Sequence, residues 1–594
     1  MKKDFLMKIT VVTLGLIAFT VSSCKNTFDI TPKSAVDITN NYQNVYDANS
    51  AVLGLYGKLM GIAEQYIVLN ELRADLMDIT PNSDKYLIQI SQHAVTTDNP
   101  WADPRPMFKI ILNCNDIIYN FNIMKAAHKM SDDDYNQRFA DVSCVRAWVY
   151  LQLGMHFGNV PYVTDPIADV TALNDNSKFP TVPLNTLIDK LVSTIEPLKY
   201  LDPYATASTL TSGASSSLIT NIDGYATQFF FINKHYLLGD LYLWQGKYNA
   251  AATSYRSALE YTYFNSQGGN QANNNILRVS GQLTGVGYVR GREQDINGLV
   301  ASNTSGWRSV FARNKAQDAS LAAGAPFEGE WMWQMNFDSN FLPADPFVDL
   351  FSNQGGRWLV QPSQTAIGNW NSQTQQNGFP YDERGRETYN TINGQNVIMK
   401  NLYVYQDPTI THKYGKWFLM RASGLHLRFA EAANRDGRSK IAYALLNGGI
   451  GSLFDSNPGG GTARDVTNTQ QTFDVPPYDF DARQGRSPYP FWSQDWCDNV
   501  GVRNNAYLTG YPSSLYATSF SQDLEDKLIQ ESALELAYEG HRWSDLLRIA
   551  LRRNDPSFLA NKVFDKLSKD GYPAQAAAAQ AKLLAGNYFL PLKL

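Results

Sequence analysis

Residues 534–553 read LELAYEGHRWSDLLRIALRR, and they place Glu539, His541, Arg542, Trp543 and Asp545 within seven positions. An acid, a base and a cation side by side suggest an active site. Helical spacing suggests otherwise. Ile529, Ala533, Leu536, Gly540, Trp543, Leu547 and Ala550 recur at intervals of three and four, which predicts one continuous apolar face. Trp543 then points inward, and Gly540 lets another backbone come close. Glu539–Arg542 and Arg542–Asp545 are i,i+3 pairs, each worth only a few tenths of a kcal/mol on a surface helix. Catalysis by His541 needs an orienting partner and a cleft, and the helix offers neither a nucleophile nor HExxH metal spacing. The stretch is therefore expected to be a structural helix.

The chain that carries it has 594 residues, 44% hydrophobic and 18% charged, enough to bury a large core without disulfides or metals. Its 33 Tyr and 12 Trp are the usual material of binding platforms. A net charge of -5 gives no basic face for a nucleic acid.

The N-terminus is a different kind of text. MKKDFLMK is a basic segment, ITVVTLGLIAFTV at 9–21 is apolar, and SSC follows at 22–24. This predicts a lipoprotein signal peptide over 1–23, cut so that the Cys24 thiol is acylated, with residues 24–40 as tether. An ordinary signal peptide cut elsewhere is the alternative. No later apolar run reaches the length of about 18 residues that a membrane helix needs. Cys114, Cys144 and Cys497 are an odd number with no CxxC pair, so neither a disulfide framework nor a zinc site is specified. Cys114 and Cys144 sit in apolar helical text and are expected as free core thiols, with a disulfide between them as the alternative.

Along the rest of the chain, helical text dominates. Val45, Ala48, Val52, Leu55 and Leu59 share a face, and a second helix is expected around YIVLNELRADLM at 66–77. A loop follows over 78–106. Residues 107–130 and 132–158 read as an antiparallel helix pair, the second opening on an Asp run suited to a positive helix N-terminus. Residues 225–262 repeat the pattern, with Gly246 making the turn in WQGKYNAA, and 424–446 give a weaker copy. Large–small alternation over such units resembles tetratricopeptide repeats, which must stack to cover their apolar faces. Between 265 and 415 Gly, Asn, Gln, Ser and Pro rise, with short strand-like pieces such as EWMWQMNF, so an irregular insert is expected there and a second over 455–520. The enzyme signals are weak. GVGYVRG at 285–291 has no strand–helix unit around it, NPGGG at 457–461 lacks the GK[ST] of a phosphate loop, and no carboxylate pair is marked out.

Several stretches together resemble the SusD/RagB family of Bacteroidetes surface lipoproteins. ELAYEGHRWSDLLR is similar to its C-terminal signature helix. FADVSCVRAWVYLQLGMHFGNVPYV is similar to its Arg-Ala-x-x-Tyr helix and Gly-Asn-Val-Pro turn. LLGDLYLWQGKYNAAATSY, YDERGRET, LHLRFAEAANRDG and NYFLPLKL follow in family order. The resemblance implies a mainly α, SusD-like fold in one domain over 41–594. Tetratricopeptide-like helix pairs over 41–264 would be followed by a loop-rich insert with short strands over 265–415 and C-terminal helices over 416–594. It implies a non-catalytic protein without cofactor, lipid-anchored in the outer membrane and exposed at the cell surface. Such a protein captures a glycan and passes it to a SusC-like TonB-dependent transporter, the helix pairs facing that partner. The RagB branch, which captures peptides, is the alternative. The family's ligand platform points to Arg73, Asp75, Asp78 and Trp101 from the first loop, and to Trp307, Trp331 and Trp370 from the insert. Sugar rings suit such residues, having apolar faces for aromatics and hydroxyl edges for charged and amide groups. Trp331 and Trp333, two apart in a strand, share one face and equally suit a core.

Overall fold

The computed structural model describes residues 41–167, 179–199, 216–227, 230–259, 262–264, 270–272, 307–312, 331–405, 414–454, 475–478 and 501–593. The signal segment, Cys24, the tether, Cys497 and the two glycine-rich stretches lie outside them.

The fold is mainly α-helical. Asn44 opens the first helix, Val45–Met60, with a capping box in which its side chain accepts from Asp47 N–H and the Asp47 carboxylate accepts from the Asn44 N–H. Ala48, Val52, Leu55 and Leu59 bury the expected face. The second helix, Ala63–Ile67, passes into a π-helical turn at Val68–Leu72. No single helix among the described residues is long and apolar enough to cross a membrane.

Arg105–Ala126 and Asp132–Phe157 form the expected antiparallel pair. From Ala140 to Phe157 every residue of the latter is buried, so this helix runs through the middle of the molecule. Lys234–Gln245 and Tyr248–Leu259 form the second pair, turning at Gly246, whose φ of +74° is cheap only for glycine. Within it the large–small rule is visible: a Cβ on Gly239 would lie 2.3 Å from the Tyr255 ring. Ala422–Arg435 and Ser439–Leu446 supply a third pair.

The insert is less separate than its composition suggests. Strand Trp331–Phe337 pairs antiparallel with Gly415–Arg421, and both are buried on both faces. Trp333 and Trp417 lie against Trp148 of the central helix, so this ladder is part of the core. Cys114 and Cys144 are buried free thiols, and burial pushes the Cys114 pKa up to about 12.

The opening stretch departs from its periodicity. Gln522–Glu535 is helical, Leu536–His541 is not, and a new helix runs from Arg542 to Arg553. The chain turns through Tyr538 and Gly540, at φ of +67° and +87°. Glu71, on the π-helical turn, explains the break, because its Oε1 accepts from the N–H groups of Gly540 and His541 at 2.7 and 3.0 Å. Gly540 admits a ring and not a backbone: a Cβ there would lie 2.0 Å from Tyr66 Cε1. Trp543 is buried as expected.

Glu539, Arg542 and Asp545 form no surface pairs. Glu539 takes Lys400 and Arg421, Arg542 takes Asp75, and Asp545 takes Arg548, all buried. Arg384 from the insert meets Asp382, Glu531 and Glu535. For Glu535 burial opposes ionisation, but Arg421, Arg384 and Lys400 outweigh it and hold its pKa down at about 2. Ions removed from water this completely persist only when paired, so the network locks the insert onto the C-terminal helices.

Candidate functional site

Six of the seven residues expected to hold a ligand are buried, and five of these line no part of the groove described below. Arg73 lies 3.8 Å over the Trp543 ring and donates to the Tyr588 carbonyl, its Nη1 sitting 3.1 Å from His156 Nδ1. Burial lowers its pKa to about 9, which leaves it charged at neutral pH, held by a ring face and lone pairs. Asp75 is consumed by Arg542. Trp307, Trp331 and Trp370 are 0%, 3% and 2% exposed, so the expected aromatic platform is not formed by them. The reason is physical. Each ring fills core volume while its indole N–H finds an interior acceptor, Glu535 Oε1, the Val310 carbonyl and the Leu534 carbonyl respectively. Trp101, in a short 3₁₀ turn at Pro100–Ala102, is half-buried against the core, and its carbonyl accepts from Gln65.

Asp78 is placed differently. It lies on the strand Met77–Ile79, which pairs antiparallel with Val360–Pro362, so that Asp78 stands opposite Gln361. Thr80 and Ser83 clamp the turn after this strand by donating to the carbonyls of Trp358 and Leu359, at 2.6 and 2.5 Å. Ser363 then caps the helix Gln364–Asn371. Asp570, at the C-cap of the helix Ser557–Lys569, accepts from the first N–H of that capped helix, Gln364, at 2.8 Å. These four elements, with the end of the helix Lys85–Ser91, enclose a groove of about 630 Å³ whose wall includes Asp78, Gln92, Gln361, Gln364, Asp570 and Tyr572.

The electrostatics of the groove are uneven. Lys566 Nζ, wholly buried, donates to Ser91 Oγ at 2.6 Å and lies 3.3 Å from Asp78 Oδ1 without making a hydrogen bond to it. Asp78 Oδ1 and Asp570 Oδ2 are both buried and accept no hydrogen bond within the protein. Burial, and then the Asp78 carboxylate, push the Asp570 pKa up to about 6 against the pull of Lys566. The groove thus offers carboxylate and amide groups around one half-buried ring, Tyr572. Such a lining suits a ligand rich in hydroxyls. Among the described residues no three His, Cys, Asp or Glu side chains converge to hold a metal ion.

Of these, sequence reasoning names only Asp78. Gln361 is brought in by strand pairing across 283 positions, and Asp570 and Tyr572 by a helix end far along the chain. Their single available signal is the sequence Asp570-Gly571-Tyr572-Pro573, a helix stop that exposes whatever flanks it. Elsewhere, a cavity of about 580 Å³ lies on the helix-pair side between Leu184, Ile188, Trp244, Tyr248 and Leu551. Another of about 500 Å³ in the insert is lined by Arg308, Arg386, Asn390, Tyr403 and Tyr405.

Residues 494–592 match the SusD family. Solved structures with the same architecture include a SusD superfamily protein from Bacteroides vulgatus ATCC 8482, at 13% identity and a TM-score of 0.52, covering 91% of this chain and 98% of that one. A SusD-like carbohydrate binding protein from Bacteroides fragilis NCTC 9343 is 14% identical with a TM-score of 0.50, covering 87% and 88%. Surface glycan-binding protein A from Bacteroides uniformis is 12% identical with a TM-score of 0.51, covering 87% and 91%. At these identities the likeness is one of fold. Among curated proteins none matches the sequence.

Proposed function

We propose, for a chain with the SusD fold and a SusD-family match over residues 494–592, the role of a non-catalytic glycan-binding lipoprotein. It captures an oligo- or polysaccharide outside the outer membrane, to which Cys24 tethers it, and hands it to a SusC-like TonB-dependent transporter. The observation that carries this reading is the groove at the Met77–Ile79 strand. Its carboxylates, amides and single tyrosine ring are the groups that sugar hydroxyls and ring faces take up. Two proteins of the same fold being named for carbohydrate or glycan binding supports it. The helix pairs offer the partner a rigid face, and the cavity beside Trp244 and Leu551 lies on it.

The test is affinity electrophoresis of the processed protein through native gels that each carry one polysaccharide. Retardation by at least one, with the polysaccharide recovered at its original chain length, supports capture without cleavage. Migration unchanged in every gel removes the glycan reading, and a peptide panel then tests the other branch of the family. Isolation of the lipidated protein from outer membranes with a TonB-dependent barrel bound tests the delivery step.

A further inference from the structure

Two carboxylate oxygens in the groove accept no hydrogen bond from the described residues, one of them being ion-paired with Lys566 at 3.3 Å, and this narrows the ligand. Asp78 is only 4% exposed, lines the groove, and leaves Oδ1 without a hydrogen bond. Asp570 spends Oδ1 on the Gln364 N–H and leaves Oδ2 buried and unbonded. A buried acceptor without a donor is costly, so a partner that donates here gains what the protein leaves unmade. The charged groups facing the pair are few. Lys566 donates to Ser91 and is ion-paired with Asp78 Oδ1 at 3.3 Å, Lys569 stands exposed at the rim, and Tyr572 is the one phenol among the described lining residues. Among the described residues no guanidinium lines this groove. A carboxylate or sulfate placed here would meet like charge and find no planar cation to receive it.

Resting on the glycan reading above, we infer that the groove selects uncharged, hydroxyl-rich glycans, whose OH groups donate to Asp78 Oδ1 and Asp570 Oδ2, and rejects uronate- and sulfate-bearing ones. The elevated pKa of Asp570 fits a group that awaits a donor. Gln361 and Gln364 supply the amides that complete a hydroxyl's second bond.

The experiment is a binding panel on the full processed chain, using laminarin, mannan and xyloglucan as neutral probes and polygalacturonate and chondroitin sulfate as anionic ones. Asp78→Asn and Asp570→Asn run beside the native protein. The expected result is binding of a neutral probe, weakened at least fivefold by each substitution, and no binding of either anionic probe by the native chain. Stronger binding of an anionic probe overturns the inference while leaving the glycan reading intact. Neutral binding that neither substitution alters overturns it too, since the ligand then lies elsewhere. Binding to no probe removes the glycan reading and this inference with it. If Asp78→Asn fails to fold, Asp570→Asn, at the more exposed position, decides alone.

Discussion

Arg542 and Asp75, 467 positions apart, form a buried two-point ion pair, with Nε donating to Oδ1 at 2.6 Å and Nη2 to Oδ2 at 2.7 Å. It fastens the bend between the π-helical turn Val68–Leu72 and the strand Met77–Ile79 to the helix Arg542–Arg553. Burial pushes the Asp75 carboxyl up, and the charge and hydrogen bonds of Arg542 more than reverse this. Removing one partner strands a charge in the core, so Asp75→Ala or Arg542→Ala is expected to cost about 3–5 kcal/mol. Asp75→Leu combined with Arg542→Met should lose less than either single truncation, because no ion is then left unpaired. Guanidinium unfolding curves for the three variants measure this.

Gly540 carries a second stability prediction. Its φ of +87° disfavours any side chain, and a Cβ would strike the Tyr66 ring at 2.0 Å. Strain and overpacking together put Gly540→Ala at about 2–4 kcal/mol. In a Tyr66→Ala background the clash disappears and the backbone strain remains. The same substitution should then cost about 1–3 kcal/mol less, a coupling that a double-mutant cycle reads directly.

The same glycine shows how far the sequence could be read. Helix pairs were legible wherever a 3.6-residue stripe met a turn residue whose conformation is local, as at Gly246. The break at Leu536–His541 was not, since Leu536, Gly540 and Trp543 keep helical spacing across it. What ends the helix is Glu71, 469 positions away. Likewise the charges of the opening stretch read as neighbours on a helix but find their partners in Asp75, Lys400 and Arg421. Buried tryptophans misled for a related reason. Composition shows that an insert is rich in rings but not which way they face, and Trp331 and Trp370 turned inward to acceptors on other elements. The groove shares this property, because Asp78 meets Gln361 and Asp570 only through tertiary pairing.

Buried titratable groups make stability depend on pH in opposing ways. Burial, reinforced by Arg73 and Arg428 respectively, lowers the pKa of His93 and His541 to about 3. The unfolded chain therefore binds protons at these sites below about 6.5 while the native one does not, so their contribution is lost as pH falls from about 6.5 toward 3. Glu71 runs the other way. Burial raises it to about 7 against its hydrogen bonds from Gly540 and its neighbours. Its native carboxyl keeps a proton that the unfolded chain releases above about 4.5, so stability falls as pH rises from about 4.5 to 7. Glu71→Gln keeps an oxygen for the Gly540 N–H and removes that titration. The variant should gain on the native protein with rising pH across this window, by up to about 3 kcal/mol. Urea midpoints at pH 4, 5, 6, 7 and 8 give the comparison.

Tyr572 and Trp101 separate two places where a ligand can lie. Tyr572 is the ring in the groove wall with Asp78 and Asp570, and it is half-buried, so one part of it remains available to a sugar face. Trp101 is also half-buried but lines no part of that groove, and its ring packs on the core beside Gln65. Loss of a stacking ring costs on the order of 1–2 kcal/mol, or about five- to thirtyfold in affinity. Tyr572→Ala should therefore weaken retention of a bound neutral polysaccharide by about that factor, beside a loss of thermal stability, since this ring also packs against the core. Trp101→Ala should leave retention unchanged and lower the unfolding temperature, because it empties packed volume. Affinity gels distinguish the two, and melting curves confirm that each variant is still folded. If Trp101→Ala abolishes retention and Tyr572→Ala does not, the ligand lies on the Pro100–Ala102 turn and the groove is not its site.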